Sequence, residues 1–175
     1  MKNKYALRLS LAAAWLVLIY LFLPFTPDLI NFLFKQFGFG NVKRALIILS
    51  AAAAVSAYLP FIIKFKLHNA AACIIAAITL SAACFINITL RIPAQTLHIP
   101  EYAILSIFLY RAFTARYSAA KSYFLAALTA FAASLVDELL IQYILPNRYC
   151  DFADVALNSA GVVIGIILIF AYRMD

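Results

Sequence analysis

The amino-acid sequence predicts an all-α integral membrane bundle of about six transmembrane helices, read as a single membrane domain over residues 1–175. Three observations predict it. The chain is 67% hydrophobic and only 12% charged, whereas a soluble domain is roughly half apolar and about a quarter charged. Uncharged runs from Leu9 to Pro27, Ala45 to Ile63 and Leu67 to Leu90 approach the roughly 20 residues that a helix needs to cross about 30 Å of hydrocarbon. The cations behind the net charge of +7 sit singly or in small groups between these runs. They read as membrane-end anchors rather than as a nucleic-acid patch, which needs basic residues gathered on one face.

The first span, about residues 7–25, follows the basic start KNKYALR. No small-x-small cleavage site follows and the apolar run is long, so it reads as a retained helix rather than a secretory signal. After it, PDLINFLFKQFGFGN is too short to cross. Leu29, Phe32, Leu33 and Phe37 share one helical face there, which predicts a short helix lying in the headgroup plane. The second and third spans cover about 43–63 and 67–90. Cys73 and Cys84, in the third, read as small packing residues; with Cys150 alone in a loop and no CxxC, no disulfide is expected. Pro100 suits the first turn of a helix and places the fourth span at about 99–115. The fifth, about 119–145, stops before Pro146, which a helix does not easily pass. The sixth runs from about 153 to 172. His68 and the tyrosines read as interface residues, and Trp15 as a lipid or packing contact.

Across six helices, Lys and Arg divide nine to five: Lys2, Lys4, Arg8, Lys64, Lys66, Arg111, Arg116, Lys121 and Arg173 against Lys35, Lys43, Arg44, Arg91 and Arg148. This bias favours both termini on the cytoplasmic side.

Four of the seven acidic residues lie in DELLIQYILPNRYCDFAD, residues 137–154. Carboxylates among leucines and isoleucines are expensive unless paired, wetted or used. Counted at 1.5 Å per residue from the inner anchors, Asp137 lies about 24 Å up the fifth helix, Glu101 about 22 Å up the fourth, and Asn158 and Asp154 about 22 and 28 Å up the sixth. Three helices thus bring acids or amides to the outer third, and the loop with Arg148 caps the same end. Asn87, Arg91 and His98 fall at a similar level. Asp154, Asn158, Gly161 and Gly165 form one stripe at i, i+4, i+7, i+11, and the glycine pair lets a neighbouring backbone approach. Glu138 and Gln142 share a face at i, i+4. The fourth, fifth and sixth helices are expected to enclose an outward-opening polar pocket.

Amides such as Asn158 and Gln142 are commonly interhelical glue, worth about 0.6 kcal/mol per bond. Each acid in hydrocarbon adds about 2.5 to 3.5 kcal/mol of desolvation, and a bundle needing only glue could use amides throughout. The acids with Arg148 are therefore read as functional. A guanidinium fork suits phosphate or carboxylate, and crowded carboxylates suit general acid or base work or proton exchange. His98 and Glu101 stand at i, i+3, but one histidine with scattered acids is a poor ligand set, so neither a metal nor a cofactor is expected. No serine nucleophile, P-loop or cofactor motif is present.

The pattern H-x-x-E-Y at His98, Glu101 and Tyr102, then Asp137-Glu138, Gln142, Pro146, Arg148, Asp154, Asn158 and Gly161, resembles the VanZ-like membrane proteins over residues 97–165. The family usually has Asp-Glu-x-x-Gln, whereas DELLIQ inserts a third residue, which turns a regular helix by about 100°. Either a local bulge absorbs the offset, or Asp137 and Glu138 exchange places. The glycine common between the proline and the arginine is Asn147 here, a change that a turn tolerates. The resemblance implies a bacterial inner-membrane protein akin to an accessory teicoplanin-resistance determinant; it implies neither a mechanism nor resistance conferred by this chain.

The sequence thus predicts a ligand site of His98, Glu101, Asp137, Glu138, Gln142, Arg148, Asp154 and Asn158 for a polar lipid or lipid-linked cell-wall precursor headgroup. Two rivals stand beside it: a membrane enzyme acting on such a headgroup with one carboxylate as base, and a structural or partner-binding subunit.

Overall fold

In the computed structural model, residues 2–64, 70–90, 92–145 and 151–172 are described. His68, Arg91, Pro146, Arg148, Cys150 and Arg173 therefore lie outside the described residues, and so does the expected capping role of Arg148. The elements run α1 (Lys2–Phe22), α2 (Thr26–Phe37), α3 (Phe39–Lys64), α4 (Ala70–Thr89), a 3-10 turn (Pro93–Leu97), α5 (His98–Phe113), α6 (Ala119–Val136), a π-helical turn (Asp137–Ile141), α7 (Gln142–Ile144) and α8 (Phe152–Tyr172). There is no strand among the described residues.

Among the described residues, four helices are long and apolar enough to cross a membrane: Asn3–Phe22, Ala71–Thr89, Ala119–Ile144 and Phe152–Ala171. The chain is a helical membrane protein, and four of the six expected spans have that standing. The fourth expected span, α5, has 16 residues and reaches about 24 Å, short of the roughly 30 Å of hydrocarbon. The second, α3, is also not among the four.

Short as it is, α5 is the centre of the fold. It packs against α1, α6 and α8, while α8 also meets α4. Both faces of α5 are consequently enclosed, with Ile99, Tyr102, Leu105, Ser106, Leu109 and Ala112 all buried. A helix apolar all round belongs in an interior. Large apolar side chains on the peripheral helices, such as Leu7, Val17, Phe124 and Phe170, are exposed, as lipid contacts are.

The α5–α8 contact rests on glycine. A Cβ built on Gly161 would stand 2.6 Å from the carbonyl oxygen of Ile99, and one on Gly165 would stand 2.6 Å from that of Ala103. The small-residue stripe read from the sequence lets two backbones touch where a methyl group would collide with main chain.

The segment after α1 folds as the short helix expected from its pattern. Pro27 lies in its first turn with Asp28, Lys35 lies in its last, and these charges complement the helix dipole. It ends at Gly38, whose φ of 77° is the left-handed cap conformation that glycine adopts at little expense. Ile30 faces the protein, whereas Leu29, Phe32 and Phe37 face outward, so the apolar face remains free for lipid. Cys73 and Cys84 are free thiols; Cys73 is exposed rather than packed inside.

Candidate functional site

Three chain segments converge where α5 begins, α6 ends and α8 begins. His98 is the first residue of α5, and its Nε2 lies 3.6 Å from Oδ2 of Asp154 on α8. The other Asp154 oxygen, Oδ1, accepts a 2.8 Å hydrogen bond from Nε2 of Gln95, in the 3-10 turn before α5. One turn further along α8, Asn158 donates from Nδ2 to Oε1 of Glu138 at 3.3 Å. Asp137 accepts a 2.9 Å bond from the Tyr102 hydroxyl. Each of these side chains is buried. The expectation that three helices bring acids and amides to one level agrees with this geometry.

The π-helical turn explains how both neighbouring acids can be used. In a regular helix, Asp137 and Glu138 point about 100° apart, and the extra residue before Gln142 would rotate the amide away. Here the N–H of Gln142 bonds back five residues to the carbonyl of Asp137, so one turn takes in the additional residue. Such bulges are rare and concentrate at functional sites. Asp137, Glu138 and Gln142 are all fully buried as a result, Asp137 toward α5 and Glu138 toward α8. The bulge, not an exchange of the two acids, absorbs the offset in DELLIQ.

Two predicted site residues stand differently from the rest. Glu101 is half-buried and, with His98, lines a cleft whose other walls are Ile19, Phe22 and Leu23 of α1 and its end, Thr26 and Leu97. The sequence spacing pairs His98 with Glu101; the fold turns the imidazole instead to Asp154 and Glu138. One ligand-type atom from each of His98, Glu138 and Asp154 lies within 4.8 Å of the others, a grouping that i, i+3 spacing does not reveal and that departs from the expectation of no metal-ligand set.

Several residues read as passive take part. Trp15 is more than a lipid or packing contact: its indole N–H donates to the main-chain carbonyl of Glu101 at 3.0 Å, and its ring meets Phe108 edge-on at 6.1 Å. The tyrosines are not all interface residues, for Tyr102 and Tyr110 are core and the Tyr20 hydroxyl donates to the carbonyl of Ala133 at 2.8 Å. Tyr102 carried a signal in the H-x-x-E-Y pattern. Gln95 carried none, because a 3-10 turn has no apolar periodicity to mark it.

Four buried polar atoms at this end lack a hydrogen-bond partner: Nδ1 of His98, Oε2 of Glu138, Nε2 of Gln142 and Oδ1 of Asn158. A buried polar group left unsatisfied costs about 1–3 kcal/mol, and natural folds keep few of them. Such a cluster has capacity to bind. Asn87, placed by sequence at the same level, lies apart, in an apolar groove between α3, α4, α5 and α8 with Ile47, Leu80, Ile99 and Leu168.

No curated protein and no solved structure compared with the chain gives a match. The model of the VanZ/LLP1 family matches residues 9–173, so the likeness carried by the motif of the C-terminal half extends over the N-terminal helices as well. With nearly its whole length matched, the chain belongs to the VanZ/LLP1 family.

Proposed function

We propose that this protein recognises the polar headgroup of a membrane lipid or of a lipid-linked cell-wall precursor, in the bacterial inner membrane, with both termini cytoplasmic and the site toward the outer surface. The observation that carries the reading is the connection between two unlike surfaces. The buried polar cluster, with its unsatisfied atoms at Glu138, Gln142 and Asn158, reaches through His98 to a cleft that has Glu101 beside it and Ile19, Phe22 and Leu23 as its walls. A headgroup with an attached chain presents the same combination of hydrogen-bonding atoms and hydrocarbon. Arg148, from its place in the sequence motif, would supply a fork for phosphate or carboxylate.

The test compares lipids that co-purify with the wild-type protein and with Glu138→Gln, Arg148→Lys and Asp154→Asn, together with folded yield and glycopeptide susceptibility of cells carrying each. Normal yield with a lost lipid supports recognition. Lost yield without a lipid in the wild type supports a structural subunit. A retained lipid that is no longer chemically altered supports an enzyme using a carboxylate as base. Trp15 is the single tryptophan and is bonded to the Glu101 backbone, so its emission is expected to shift when the cleft fills.

A further inference from the structure

We infer that His98, Glu138 and Asp154 hold a divalent transition-metal ion between α5, α6 and α8. The three residues come from three different chain segments, and each offers a ligand-type atom within 4.8 Å of the other two. The His98–Asp154 separation of 3.6 Å is close to the roughly 3.3 Å edge of a tetrahedron with metal bonds of 2.0–2.1 Å. All three side chains are at least nine-tenths buried.

A simple imidazole–carboxylate pair does not account for the whole group. It leaves Glu138, whose Oε2 is buried without a hydrogen-bond partner, beside a second carboxylate in a low-dielectric setting. Two anions so close repel unless a cation lies between them, and a bound ion is the largest charge that such a site can supply. The amide of Asn158 adds a second independent sign: its Nδ2 already holds Glu138, while its Oδ1 is fully buried with no partner. Metal-binding carboxylates are held by just this kind of outer hydrogen bond, and Gln95 does the same for Asp154. Mixed imidazole and carboxylate donors without thiolate favour Zn²⁺ or Mn²⁺.

The inference does not depend on lipid recognition, because the probe is the metal alone. Full-length protein is purified in detergent, stripped with chelator, and titrated with Zn²⁺ and separately with Mn²⁺, bound metal being measured by mass spectrometry after gel filtration. About one ion per chain is expected, with affinity lowered about tenfold or more in Glu138→Gln and in Asp154→Asn. X-ray absorption on the loaded wild type keeps the test decisive if a variant fails to fold: a nitrogen and oxygen shell with imidazole scattering is expected. Folded wild type that takes up neither ion, uptake unchanged in both variants, or a shell containing sulfur overturns the assignment.

Discussion

At the Ala119 end of α6, Lys121 stands over the Tyr117 ring at 4.7 Å, and Arg116 lies between the Tyr5 and Tyr117 rings at 5.8 and 5.7 Å. Arg8 donates to the carbonyl of Arg111 at 3.0 Å in an exposed position. At the other end, Asp137 and Glu138 are buried under neighbouring helices and bonded to Tyr102 and Asn158. Both ends carry charge in an apolar chain, yet only one end encloses it. Exposed cations resting on aromatic faces or backbone oxygens contribute little each, about 0.5–1 kcal/mol, because water or headgroups solvate them equally well. Enclosed acids depend on every partner the fold supplies, so the geometry around them is specified far more tightly.

That contrast predicts a ranking of substitutions. The largest effect belongs to Gly165→Val, since the first added carbon already meets the Ala103 carbonyl and the Ser106 side chain. Forcing α5 from α8 is expected to lower stability by about 3 kcal/mol, the upper part of the usual overpacking range, and to scatter the polar cluster. Thermal unfolding in detergent measures it. A normal transition would mean that α8 can move outward and that the α5 contact does not fix the site.

Next come the donors that hold the two acids. Asn158→Leu leaves Glu138 buried without its donor, and a loss of about 1–3 kcal/mol is expected. Tyr102→Phe removes one hydrogen bond from Asp137 and is expected to cost about 1 kcal/mol. Chemical denaturation of both variants gives the ranking, and equal, negligible losses would show that this end is as forgiving as the other.

Deletion of Leu140, an exposed residue of the π-helical turn, sharpens the comparison in another way. It restores the shorter spacing between Glu138 and the following glutamine, and an α-helical turn can then present the same face. Folded yield near wild type is expected. A collapse in yield would show that the bulge itself, and not the facing of its side chains, holds the two acids. The smallest effects are expected at the cationic end, where Lys121→Ala and Arg116→Ala should each shift stability by no more than about 1 kcal/mol.

How much of this was legible in the sequence differs by level. The membrane class followed from long uncharged runs, and helix limits followed from anchors and breakers, because hydrocarbon requires each segment to satisfy its own backbone. The bounds of α5, α6 and α8 lie within a few residues of those expected. The level shared by His98, Glu138, Asp154 and Asn158 could be counted from helix rise alone. The facing of Asp137 and Glu138 could not, because a single bulge redirects a helix and the bond that makes it is a local backbone choice.

The family motif and the glycine stripe were written in the sequence, since spacing along a helix maps directly onto a face. Which acid meets which donor belonged to the tertiary structure. Partners separated by 20, 35, 56 or 59 residues, as in Asn158–Glu138, Tyr102–Asp137, His98–Asp154 and Gln95–Asp154, are chosen by how helices rotate against one another. That rotation was settled by close packing at Gly161 and Gly165 and by the π-helical turn. Periodicity places a side chain on a face; only packing decides what the face meets.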